Sequence, residues 1–99
     1  MNQSFLKNNF GQGILWSKDI KNIDLEKDKV YIIHQVLSYG NMKQIKNLFK
    51  IYKSKEIKDV FVNHPQKVYS PAVFKFVKKF ILSLEKENLT AEKYVKTSF

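Results

Sequence analysis

The stretch Asp28-Lys29-Val30-Tyr31-Ile32-Ile33-His34-Gln35-Val36-Leu37-Ser38-Tyr39-Gly40 decides how this chain folds. Val30, Ile33, Val36 and Leu37 recur at helical spacing and make one apolar face. Tyr31 and Ile32 widen that face until little is left for water, the pattern of a central helix wrapped by others. Asp28 stands where a carboxylate accepts from the free N–H groups of the first turn. Gly40 stands where a left-handed residue ends a helix.

Working outward, a second helix starts at once. Asn41 occupies the N-cap position and Gln44 follows three residues later, close to a capping box. Ile45, Leu48, Phe49 and Tyr52 form its apolar face, and Lys43, Lys46, Lys50 and Lys53 cluster on another. Ser54 is read as the next N-cap, with Glu56 in the first turn where the helix dipole favours it. Ile57, Val60 and Phe61 give this third helix its buried side, and Asn63-His64-Pro65 ends it. Val60-Phe61-Val62 and Lys67-Val68-Tyr69 come nearest to alternation and allow a minor extended piece. Ser70-Pro71, serine at the cap and proline at the first helical position, opens the last main helix. Its stripe is Val73, Val77, Phe80, Ile81 and Leu84, with Phe74 and Phe76 on the flanks. Lys75, Lys79 and Lys86 share the remaining face, with Leu82 among them. Thr90 is placed to cap a final turn or two carrying Tyr94 and Val95.

These patterns predict an all-α bundle of four main helices, about 28–39, 42–52, 54–62 and 71–84. An irregular N-terminal arm (1–22), pinned by Trp16, precedes the core (23–84), and an extension (85–99) with a short helix follows it. Val36 and Phe80 are expected to be deeply buried, so that alanine at either costs about 2–4 kcal/mol. Ninety-nine residues make one domain, with enough surface buried for one core and no deep cavity besides. Without cysteine there are no disulfides and no thiolate metal sites. No apolar run approaches a membrane span, and the first residues lack the pattern of a signal peptide, so the expectation is a cytoplasmic protein without membrane contact.

The net charge is +9, and all 18 basic residues are lysine. Such a field favours nucleic acid or an acidic protein partner, although an AT-rich genome raises lysine content everywhere. The missing arginine removes the guanidinium fork that reads guanine and grips phosphate, which argues against a sequence-specific DNA reader. The Gly11-Gln12-Gly13 turn lacks the preceding strand and third glycine of a phosphate loop. His34 and His64 lie thirty residues apart, neither with an acidic neighbour at metal-pair spacing, and both read as structural or surface residues. The acidic residues are scattered, with Asp24, Glu26 and Asp28 as the one local cluster, which capping explains. No nucleophile–base pair, carboxylate pair or metal cluster stands out, so neither an enzyme nor a cofactor is expected.

Several of these positions resemble, in order, a bacterial family of small helical proteins of unknown function. They are the early tryptophan, the Asp24-Leu25-Glu26-Lys27 approach, Ile32-Ile33 with Val36-Leu37 and Gly40, Leu48 and Tyr52, Lys55-Glu56-Ile57, and Ser70-Pro71 with Phe74 and Phe76. The resemblance covers about residues 14–84. The family pattern has an acidic and a basic residue where His34-Gln35 stand, and a second tryptophan where Val77 stands. Members are often encoded beside an AbiEii-type nucleotidyltransferase toxin, which implies an antitoxin, and the family carries no catalytic residues to transfer.

The functional expectation is a non-enzymatic, antitoxin-like binding protein that neutralises a larger acidic partner, such as a nucleotidyltransferase-type toxin, by direct contact. Its anchors are expected among the aromatic and apolar residues that the core least needs: Tyr39, Leu82, Tyr94 and Phe99. The alternatives are a basic DNA- or RNA-binding module of little sequence specificity, or a phage- or plasmid-encoded inhibitor of a host defence protein. The nucleic-acid module would use the tight connection between the second and third helices and contact phosphates through Lys43, Lys46, Lys50, Lys53, Lys75 and Lys79.

Overall fold

The computed structural model describes residues 24–84 and 89–96. Four α-helices follow one another: α1 Lys29–Tyr39, α2 Met42–Ile51, α3 Ser54–Asn63 and α4 Pro71–Phe76. A π-helical segment, Val77–Ile81, continues α4, and a 3₁₀ turn, Ala91–Lys93, lies in the C-terminal segment. The described part is thus all-α, as the periodicities predict. The expected arm, Trp16 and Phe99 lie outside the described residues.

Helix α1 is the centre. It packs against both α2 and α3, and Ile32 through Leu37 are all buried, the polar pair His34 and Gln35 included. Its start differs from expectation. Asp28 makes no side-chain cap to α1; its Oδ2 accepts instead from the Asp24 N–H at 3.0 Å. The turn over residues 25–28 already offers carbonyls to the first N–H groups of the helix. Asp24 caps that turn, its Oδ1 accepting from the N–H groups of Glu26 at 2.8 Å and Lys27 at 2.9 Å. Those two bonds are the main reason the Asp24 carboxyl sits below its ordinary pKa.

Gly40 is also different. Its φ of −75° and ψ of 154° are extended, not left-handed. Close approach explains the glycine. A Cβ here would stand 2.6 Å from the Val36 carbonyl oxygen, which accepts the Gly40 N–H at 2.8 Å. Gly40→Ala must therefore open the end of α1, and it is expected to cost about 1–3 kcal/mol. Urea midpoints check this, and an alanine variant as stable as the parent would show that the chain can give here.

At α2 the capping box is present: Gln44 N–H donates to Asn41 Oδ1 at 2.9 Å, and Asn41 N–H to Gln44 Oε1 at 2.8 Å. Its last turn is tied to the N-terminal turn by the Tyr52 hydroxyl, which donates to the Leu25 carbonyl at 2.8 Å. Helix α3 is capped at Lys53, one residue before the expected Ser54. Glu56 reaches back to accept the Lys53 N–H at 3.1 Å, so the serine hydroxyl is not needed as a cap. At α4 the Ser70 hydroxyl accepts from the Val73 N–H at 3.3 Å, with Pro71 in the first turn.

The largest departure lies beyond Phe76, where one unbroken α-helix to residue 84 was expected. The Val77 carbonyl accepts from Leu82 N–H at 2.9 Å, five residues on, and the Lys78 carbonyl from Leu84 N–H at 2.7 Å, six on. Wider turns shift the register of the side chains they carry. Phe80, expected in the core, is 65% exposed, while Leu82, expected among surface lysines, is fully buried. Ser83 follows with φ 52°, the left-handed conformation that ends the segment.

The other half of the core is aromatic. Phe61 stacks on Tyr94 at 4.7 Å and lies 6.1 Å from Phe74, and Tyr69 closes edge-on at 5.6 Å. Tyr94, expected at the surface as a partner anchor, is 1% exposed. Its hydroxyl donates to the Phe61 carbonyl at 2.5 Å. The reason is local. The helical donor for that carbonyl would be residue 65, which is a proline without an N–H. Tyr94 supplies the missing proton, and its ring fills the space beside Phe61 and Phe74. A parallel bridge between Tyr69 and Val95 holds the segment in place: Tyr69 N–H donates to the Tyr94 carbonyl at 3.0 Å and Lys96 N–H to the Tyr69 carbonyl at 2.9 Å. Of the two stretches where a minor extended piece was expected, Lys67-Val68-Tyr69 carries it and Val60-Phe61-Val62 lies within α3.

Candidate partner-binding surface

The register shift in 77–81 puts aromatic side chains in water. Phe80 and Phe76, four residues apart, touch with ring centroids 5.7 Å apart, and Phe76 is also exposed. Opposite them α2 presents Met42, Ile45 and Phe49, which share one side of that helix at spacings of three and four. Between the two walls runs an open groove of about 320 Å³ lined by Met42, Ile45, Lys46, Phe49, Phe80 and Ile81. Met42 and Phe80 are among the most exposed large apolar residues described. The grouping of these exposed apolar residues makes the groove a candidate interaction site.

Lysines border both walls. Lys46 lines the groove itself, and Lys43 and Lys50 share its side of α2. On the opposite wall the Lys79 ammonium lies 5.3 Å from the centre of the Phe80 ring, with Lys75 one turn earlier. Lys53 is exposed at the α2–α3 junction. An ion pair joins Lys29 Nζ to Glu56 Oε2 at 3.6 Å, and Lys29 is not one of the six lysines singled out from the sequence. Four of those six, Lys43, Lys46, Lys50 and Lys79, belong to the two elements that wall the groove, and Lys75 lies on α4 just before the second.

The expected anchors fare differently. Leu82 and Tyr94 are core residues. Tyr39 is exposed, but it lines another cleft, of about 410 Å³, with Ser38, Val68, Ser70, Pro71, Val73 and Lys96. There the Lys96 ammonium donates to the Tyr39 hydroxyl and lies 4.9 Å from the ring centre. The residues that sequence reasoning missed are Phe76, Phe80, Met42, Phe49 and Ile81. A faint signal was available: Phe74, Phe76 and Phe80 together are more aromatic surface than one helix face can bury.

Neither histidine lies at the groove. His34, fully buried on α1, is satisfied at both ring nitrogens. Nε2 is 2.6 Å from the His64 carbonyl oxygen, which only accepts, so Nε2 carries the proton and donates. Nδ1 then accepts from the Tyr69 hydroxyl at 2.8 Å. One turn on, Ser38 Oγ donates to the Val68 carbonyl at 2.6 Å. These bonds fasten the 64–69 connection onto α1. Burial pushes the His34 pKa down to about 4, against the opposing pull of the His64 carbonyl, and pushes the Tyr69 hydroxyl well above its usual range. Gln35, also buried, leaves its Nε2 without a hydrogen-bond partner. Among the described residues no three of His, Cys, Asp and Glu come together as a metal site, and no helix is long and apolar enough to cross a membrane.

The described residues form a small all-α domain with an aromatic groove between lysine-bearing elements. The chain belongs to a family of unknown function, DUF6922, whose match spans residues 10–61 and so takes in α1, α2 and most of α3. No curated protein and no solved structure matches it.

Proposed function

We propose that the protein is a cytoplasmic, non-enzymatic binding protein that neutralises a larger acidic protein by direct contact, in the manner of an antitoxin. The observation that carries this reading is the exposed aromatic groove with lysines along both walls. Apolar anchors that leave water supply the affinity of such a contact, and surrounding charges steer the encounter. The resemblance to a bacterial family encoded beside AbiEii-type nucleotidyltransferase toxins names the class of partner. Such a toxin works on nucleotide and acceptor through an acidic metal site, and a lysine-rich surface is suited to covering it.

Co-expression with the product of the adjacent gene, followed by size exclusion, tests the proposal. The expected result is a stable complex whose formation slows as salt rises. No complex with any neighbour-encoded protein would overturn it. Tight binding of DNA or RNA by the isolated protein, with a log–log salt slope near about −0.9 per phosphate, would then assign the lysines to phosphate contacts.

A further inference from the structure

We infer that the groove between α2 and the Phe80–Ile81 wall receives an amphipathic helix of the partner, one whose apolar stripe is bordered by glutamates or aspartates. This rests on the proposed function and specifies the partner's side of the contact.

The walls decide the shape of the occupant. Both are helical, with their backbone groups turned inward to their own hydrogen bonds. The bridge found among the described residues, Tyr69–Val95, involves no groove residue, so the groove offers no open edge for a strand to extend. What it offers is side-chain ridges: Met42, Ile45 and Phe49 at i, i+3 and i+7 on one wall, Phe80 and Ile81 on the other, with Phe76 behind Phe80. Ridges at these spacings accept the ridges of another helix. The Met42-to-Phe49 wall is about 10 Å long at the helical rise per residue, so it meets about two turns of the occupant. Two turns carry apolar anchors at i, i+3 or i+4, and i+7.

The charges decide the flanks. Lys46 lines the groove on the α2 side, and the Lys79 ammonium lies 5.3 Å from the centre of the Phe80 ring that forms the other wall. An occupant with lysines beside its apolar stripe would bring like charges together at both rims, and a fully apolar one would leave both ammonium groups facing hydrocarbon. Carboxylates on both borders complement them.

The probe is a capped peptide of about 16 residues, long enough to hold a helix, with leucines at i, i+3, i+4 and i+7 and glutamates on both borders. Its binding to the full chain is read by fluorescence anisotropy, beside a scrambled peptide and one with lysines on the borders. The glutamate peptide is expected to bind, and the other two at least about tenfold more weakly. Phe80→Ala is expected to weaken binding at least about tenfold with the circular dichroism spectrum unchanged, since that ring lies outside the core. Lys46→Glu with Lys79→Glu should reverse the preference towards the lysine-bordered peptide. Equal binding of the scrambled peptide, indifference to Phe80→Ala, or a groove occupied by a second copy (a dimer that Phe80→Ala dissociates) overturns the inference. A complex with the adjacent gene product that survives Phe80→Ala refutes the groove inference and leaves the proposed function standing. Peptide binding without any such complex does the reverse.

Discussion

Tyr94→Ala is expected to destabilise the fold by about 3–5 kcal/mol, the cost of removing a large aromatic side chain from a packed core. Three losses combine at this position. The ring leaves its stacks on Phe61 at 4.7 Å and Phe74 at 4.9 Å. The Phe61 carbonyl loses the donor that stands in for the absent Pro65 N–H. The segment that pairs with Tyr69 loses the side chain that fixes it. Tyr94→Phe separates these effects. It keeps the ring and removes the proton, and a buried carbonyl left without a donor costs about 1–3 kcal/mol. Urea unfolding of both variants gives the two numbers. Equal stability of parent and Tyr94→Ala would mean that the C-terminal segment does not close the core. A weakened partner complex in Tyr94→Ala would accordingly report lost folding, not a lost contact.

The second large effect is on pH. In the unfolded chain His34 titrates near its ordinary 6.5, and in the folded protein near 4. Between these values the unfolded chain holds more protons than the folded one, so stability falls as pH falls. The loss begins as pH drops through 6.5 and levels off below about 4. The full shift corresponds to roughly 3 kcal/mol at most. The main cause is burial of the ring, which disfavours the charged form and outweighs the His64 carbonyl that favours it. Protonation at Nδ1 turns an acceptor into a donor that faces the proton of the Tyr69 hydroxyl, and it puts a charge among Phe61, Tyr69 and their neighbours. Asp24 acts in a separate window. Its folded pKa is depressed, so its contribution is intact at the pH where His34 titrates and is lost only below the ordinary carboxylate range. Urea midpoints at pH 7 and pH 5 read the His34 effect, and His34→Gln, though less stable throughout, should flatten the slope. Unchanged midpoints, with the ring titrating near 6.5 by nuclear magnetic resonance, would show that His34 is not held neutral.

The helices were legible because their signals are local. Asn41 with Gln44, and Ser70 with Pro71, are caps whose partners lie within four residues, and the structure has both. The burial of α1 followed from six residues that left no polar face. What was illegible depended on distant or competing partners. Nothing near Tyr94 in sequence reveals that a carbonyl thirty-three residues earlier needs a donor. The left-handed Gly40 was a sound inference from helix-end statistics, but the cause is a close backbone approach that only coordinates display. Phe80 and Leu82 were exchanged between surface and core because a strict 3.6-residue period was carried through a segment that does not keep it. The candidate surface was therefore half readable: its lysines were found, and its aromatic floor was assigned to the interior.

The same π-helical segment makes this wall of the groove one residue longer than an ordinary helix would be. Leu82 bonds to the Val77 carbonyl five residues back, so it holds the inward place that the residue four after Val77 holds in an α-helix. Removing one residue from 78–81 would restore the ordinary helical register and leave Leu82 on the core face. Among chains related to this one, the segment can thus gain or lose a single codon without disturbing the core, the added residue being carried on the outer side. A comparison that admits no gap here would pair Leu82 with a surface position and misread both faces.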